Sequence, residues 1–134
     1  MDWTNGYVSG VNYTYGYYPE MNPFHMNFCL TSAGIKAPAV TKACELGFGQ
    51  GISLNFHACS RDVQWVGNDF NPEHAAYAID MNKLTTANSK ISDEDFESFC
   101  ERNDIYELDY ICLHGVWTWI SDENRKIIIR FIKN

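Results

Sequence analysis

Basic residues are scarce: ten Lys and Arg stand against 17 Asp and Glu, giving a formal net charge of −7 over 134 residues. Nonspecific binding to nucleic acid needs clustered cations to neutralise phosphates, so that class of partner is excluded. No apolar run approaches the roughly 18 residues of a membrane span. The start, Met1-Asp2-Trp3-Thr4, lacks the basic-then-apolar layout of a secretory signal, and a cytoplasmic location is expected. Cys-x-x-Cys pairs are absent and the histidines are scattered at 25, 57, 74 and 114, so no metal is expected. The five cysteines, at 29, 44, 59, 100 and 112, are odd in number and sit among apolar neighbours. They read as reduced core residues rather than disulfide partners.

What the chain does have is apolar mass, 46% of its residues, enough for one domain with a core. It also has a glycine-rich turn, Glu45-Leu46-Gly47-Phe48-Gly49-Gln50-Gly51, with Asp69 following 18 residues after Gly51. Three glycines let the backbone turn sharply and approach a ligand with no Cβ in the way. Residues 40–46 read as a buried strand, and 50–60 as a helix with Ile52, Phe56 and Cys59 on one face. Strand, tight turn and helix N-terminus together predict backbone N–H groups offered to a ligand at the carboxyl edge of a parallel sheet. A second strand is expected over 63–69, with Asn71-Pro72 opening the next helix. Asp69 at that strand's end can accept hydrogen bonds from two vicinal ribose hydroxyls, or compensate the dipole of the helix that follows.

A dinucleotide fingerprint requires glycine at the first, third and sixth positions, and the sixth here is Ile52. The pattern is instead Glu-x-Gly-x-Gly-x-Gly, which resembles motif I of the class I S-adenosylmethionine-dependent methyltransferases. A carboxylate at Glu45 suits a ligand with an ammonium and a sulfonium and would repel a pyrophosphate. Together with Tyr13-Thr14-Tyr15-Gly16-Tyr17-Tyr18-Pro19, Asn68-Asp69-Phe70-Asn71-Pro72 and His114-Gly115-Val116-Trp117, the chain is similar to bacterial methyltransferases that carry a regulatory domain, a group that includes protein-lysine methyltransferases. The resemblance implies S-adenosyl-L-methionine as cofactor and transfer of its methyl group to an acceptor such as a protein lysine amine.

By the same resemblance, Glu45, Gly47, Phe48, Gly49, Gln50 and Gly51 hold the methionine side, Asp69 the ribose, and Phe70 an adenine face. Asp93 or Asp95, beside Phe96, would meet the adenine amino group, although an acidic first helical turn accounts for both carboxylates equally well. His114 would face the transferring methyl as a candidate acid or base, or be a packed, hydrogen-bonded side chain. Tyr15, from the N-terminal section, would join the cofactor site.

Around these motifs, residues 1–38 form a Tyr-rich segment, including Tyr7, and a cap helix from Asn22-Pro23 to Gly34 with Phe24, Phe28 and Cys29 as its apolar stripe. Residues 39–134 form an α/β, Rossmann-like unit. Its later elements are a helix carrying Ala75, Ala78, Ile79 and Met81, a short strand at 89–92, and a helix to about residue 102 with Phe96, Phe99 and Cys100 inward. A strand over 108–113 and a helix capped by Ser121 complete it. The full family sheet runs 3-2-1-4-5-7-6, so the chain is expected to stop after the fourth strand and its helix. The fourth strand would then lie at an edge, and Ile127, Ile128, Ile129, Phe131 and Ile132 exceed what one helix face buries. Self-association or a pairing partner is expected. The alternative function is a noncatalytic cofactor-binding or interaction fragment.

Overall fold

The structure is a computed structural model that describes residues 13–134, so Tyr7 and its neighbours lie outside the described residues. Four strands, β1 (Lys42–Leu46), β2 (Gln64–Asn68), β3 (Ser89–Ser92) and β4 (Tyr110–Cys112), form one sheet in the order β3-β2-β1-β4. Every pairing is parallel, with Glu45 opposite both Gly67 and Cys112, and Asn68 opposite Ser92. Parallel neighbours require crossovers. These are supplied by α2 (Ile52–Ser60), α3 (Pro72–Lys83) and α4 (Phe96–Cys100); α1 (Pro23–Ser32) precedes the sheet and α5 (Asp122–Lys133) follows it.

Local sequence explains where the helices begin. Asn22, Asn71, Asp95 and Ser121 each accept a hydrogen bond from a backbone N–H in the first turn, and proline fills the first position of α1 and α3. Gly34, at φ 73°, ends α1: its N–H donates to the Thr31 carbonyl and that of Ile35 to Leu30. That pair of bonds is the Schellman closure a left-handed glycine permits.

Alternation along β1 sends side chains into two cores. Cys44 and Leu46 join Val66, Phe96, Phe99 and Ile128 on one face; Ala43 joins Met21, Leu54, Ala58, Trp65 and Ala78 on the other. Each fully buried Leu, Ile or Phe stabilises the fold by about 1.5–3 kcal/mol. Met21, in a 3₁₀ turn at Pro19–Met21, anchors the N-terminal section to the second core.

Several expected faces are turned round. Phe56 is 60% exposed and Cys59 is exposed, while Ser53, Leu54, Asn55, His57 and Ala58 are buried on α2. Asn55 causes the rotation: its Nδ2 donates to the carbonyls of Gly51 and Ala78, and its Oδ1 accepts from Asn82, so α2 meets α3 through a polar seam. Phe28 and Cys29 on α1 are likewise exposed, so the predicted stripe is not a buried one. All five cysteines are free, yet only Cys44 and Cys112 are buried, which corrects the reading of the set as core residues. β4 and α4 are shorter than expected. Glu107 takes a left-handed turn at φ 55°, and Asp109 spends its carboxylate on Thr41 and Lys42 rather than extending the strand.

Candidate functional site

The glycine turn follows β1, and Gly47, Gly49 and Gly51 all have positive φ, 65°, 58° and 68°. Space demands glycine there as much as torsion does. A Cβ on Gly47 would lie 2.7 Å from Val116 Cγ2, and one on Gly51 would lie 2.4 Å from Ala78 Cβ. A Cβ on Gly49 would fall 2.5 Å from the Tyr13 ring.

The turn curls back onto the end of β2, and this uses up N–H groups expected to face a ligand. Gly47 and Phe48 donate to the Asn68 carbonyl, Gly51 to Phe48, and Gly49 to Asp69 Oδ2 at 2.8 Å. Any recognition at this edge therefore falls to side chains rather than to those amides. Asp69 is buried and serves twice more. Its Oδ1 accepts from Asn71 N at 3.0 Å and lies 3.4 Å from His74 Nδ1.

Glu45 is 3% exposed, and its Oε2 is buried without a hydrogen-bond partner. Burial, reinforced by the nearby negative charge of Asp69, pushes its carboxyl up to about 8. Below that value it is held as a neutral acid. Among the described residues, buried side-chain atoms lacking a partner belong to Asn27, Glu45, His57, Asn68, Ser92 and His114. Four of these six, Glu45, Asn68, Ser92 and His114, stand at the carboxyl ends of β1, β2, β3 and β4 respectively. Unsatisfied buried polar atoms are costly, and their gathering along one edge marks it as a place where a polar ligand completes the bonding.

The remaining expected residues are distributed as follows. Phe48 and Gln50 are buried, Phe48 in the second core; Phe70 is half-buried against the first. Phe96 is a core residue beneath the turn, its Cζ 3.6 Å from where a Gly47 Cβ would stand. Asp95 caps α4 by accepting from Ser98 N at 2.8 Å, and Asp93 is exposed. His114 stacks on Tyr18 with ring centroids 3.8 Å apart, and its Nε2 lies 4.0 Å from Glu20. Tyr15 is exposed, its ring edge-on to Tyr77 of α3 at 5.4 Å.

Tyr13, rather than Tyr15, covers Gly49, a point sequence reasoning missed. Its hydroxyl donates to the His114 carbonyl at 2.9 Å. Burial raises that hydroxyl above the usual tyrosine range, with further contributions from Tyr18, Asp69 and Glu45. Nothing in the spacing of the tyrosines distinguished it. Asn68 was missed for another reason: it reads as one more strand residue, yet its Nδ2 donates to the Glu94 carbonyl and fastens the β3–α4 loop.

No helix among the described residues is long and apolar enough to cross a membrane, and no three or more of their His, Cys, Asp and Glu side chains gather in a way that could hold a metal ion. No protein-family model matches the chain. PKMT2 from Rickettsia typhi, solved in complex with AdoHcy, superposes over 90% of this chain and 24% of its own, with a TM-score of 0.74 at 20% identity. The plantazolicin methyltransferase BpumL, in complex with SAH, covers 84% of this chain and 40% of its own, with a TM-score of 0.63 at 12% identity.

The fold is that of the class I S-adenosylmethionine-dependent methyltransferases. A SAM-dependent methyltransferase from Thiobacillus denitrificans, also solved with S-adenosyl-L-homocysteine, gives a TM-score of 0.57 over 87% of this chain at 17% identity. In sequence, the chain is 39% identical over 138 residues to the uncharacterized protein sll1526 of Synechocystis sp., across 99% of this chain. It spans about a quarter of the length of these first relatives, 27% of the Synechocystis protein and 24% of PKMT2.

Proposed function

We propose that the carboxyl edge of the sheet binds S-adenosyl-L-methionine and that the chain acts in methyl transfer to an amine acceptor, a protein lysine being the class favoured by its likeness to PKMT2. The observation that carries this reading is the buried acidic pair, Glu45 and Asp69, beside a row of unsatisfied polar atoms at the ends of all four strands. The donor set fits the cofactor. Glu45 Oε2 is a buried acceptor for an ammonium, and Asp69 has lone pairs left on both oxygens for a ribose diol.

When bound, the cofactor supplies a methyl group already activated on a sulfonium, so the protein's work is orientation, desolvation and field. Glu45 holds the ammonium and gives up its proton in doing so. Asp69 orients the ribose while its bond to Gly49 N–H keeps the turn closed against β2. On this reading Phe70 and the Asp93–Asp95 segment would serve the adenine side, and His114 would hold a proton from the acceptor amine.

The test is calorimetry with S-adenosylhomocysteine, followed by transfer of a labelled methyl group from S-adenosylmethionine to a panel of lysine-containing proteins. Saturable binding with turnover on an amine is expected. Absence of binding overturns the reading. A second reading is a noncatalytic cofactor-binding unit completed by a partner or a second copy. It is favoured by β4 lying on the rim of the described sheet and by Ile129 and Ile132 of α5 being 42% and 51% exposed. Binding without turnover, with an oligomer in light scattering, would select it.

A further inference from the structure

Two glycines, in the loops that follow neighbouring strands β1 and β4, make room for the same side chain. Gly49, in the turn after β1, takes the face of the Tyr13 ring, and Gly115, in the loop after β4, lies under its hydroxyl: a Cβ there would stand 3.1 Å from Tyr13 Oη. Both glycines have positive φ. The ring is in direct contact with the Gly49 α-face, so no ligand atom fits between them, and the hydroxyl's bond to the His114 carbonyl closes the span from one loop to the other. Residues 13–18, a strap across this edge, are tied at further points. Tyr18 N donates to Ser53 Oγ at 2.8 Å on α2, Tyr18 stacks on His114, and its hydroxyl bonds Thr14 Oγ1 at 3.0 Å.

We propose that Tyr13 is the latch of the cofactor site: its hydroxyl bond to the His114 carbonyl holds the strap closed, so that ligand enters and leaves only when this bond breaks. The proposal rests on the cofactor reading above. Tyr13 acts by positioning and takes no part in the transfer itself. A lid that must open in both directions has a kinetic signature that a simple ligand contact lacks. Loosening the lid speeds entry and exit together, whereas deleting a contact speeds exit alone.

Stopped-flow measurement of S-adenosylhomocysteine binding to the full 134-residue chain and its Tyr13→Phe variant tests this. Phenylalanine keeps the ring on Gly49 and removes one hydrogen bond. Association and dissociation rates should both rise, by roughly two- to tenfold, with the dissociation constant moving by less than about twofold. Gly115→Ala, which pushes the hydroxyl off its acceptor from the other loop, should shift both rates in the same sense. Faster dissociation with unchanged association, or unchanged rates in both variants, overturns the latch while leaving the cofactor site intact. No binding by the wild-type chain, seen in calorimetry, overturns the cofactor reading and the latch with it.

Discussion

The two ends of the same four strands treat their charges in opposite ways. At the amino edge, exposed Asp109 accepts from Thr41 N and Oγ1, both at 2.8 Å, and from Lys42 N at 3.0 Å. Asp104 there is held by Arg102 and Lys90, which set its carboxyl well below the usual range, and Lys42 lies over the Tyr106 ring. At the carboxyl edge, Glu45 and Asp69 are buried side by side, and Glu45 is pushed up to about 8 by burial and by Asp69. Acids that only build the fold are given partners. Glu45, left buried with one oxygen that has no partner, tells where a ligand is expected to supply the missing charge.

The largest effect should come from Asp69→Ala. It removes the proposed ribose acceptor and strands the N–H groups of Gly49 and Asn71, so S-adenosylhomocysteine affinity should fall at least about 100-fold in calorimetry. Affinity equal to wild type would dissolve the contrast between the edges. Next in size is Gly51→Ala, which forces a Cβ to within 2.4 Å of Ala78 at φ 68°. Overpacking and left-handed strain together should cost about 2–4 kcal/mol in urea unfolding.

Glu45 makes a pH prediction. Its folded value is above its unfolded one, so its contribution to stability is full below about 4.5 and is lost as pH rises to about 8. His57, buried on α2, is lowered by burial to about 4 and works in the opposite sense, losing stability as pH falls from about 6.5. The two offset each other between about 4.5 and 6.5. Above that the Glu45 loss dominates, and wild-type stability should drop by about 1 kcal/mol from pH 6.5 to 8. Glu45→Gln should flatten that limb in thermal melts taken across the range; an unchanged slope would place the titrating group elsewhere. The smallest effect belongs to the other edge. Asp109→Ala should cost about 1 kcal/mol of stability and leave cofactor affinity unchanged.

Where the sequence was legible, the signal was local. The caps at Asn22, Asn71 and Ser121 and the short strand Ser89–Ser92 follow from side-chain chemistry within a few residues, as does the positive φ of the glycine turn. Where it was not, the deciding contact came from far along the chain. Phe56 lost its place in the core because Asn55 bonds to Ala78, 23 residues on. The amides of the turn were taken by Asn68 and Asp69, which no spacing rule assigns to them. Tyr13 reaches His114 across 101 residues, and only the fold distinguishes it from Tyr15. Periodicity read apolar residues as inward, but α2, beside the glycine turn, is held by a polar seam as well.

As proposed, the carboxyl edge is an acidic, cation-seeking cofactor site centred on Glu45. The most direct measurement is titration of the chain with S-adenosylhomocysteine at pH 7 in two buffers of different ionisation enthalpy. Saturable binding at one site with release of about one proton, lost in Glu45→Gln, is the predicted result. Absence of saturable heat, or binding with no proton exchanged, would contradict it.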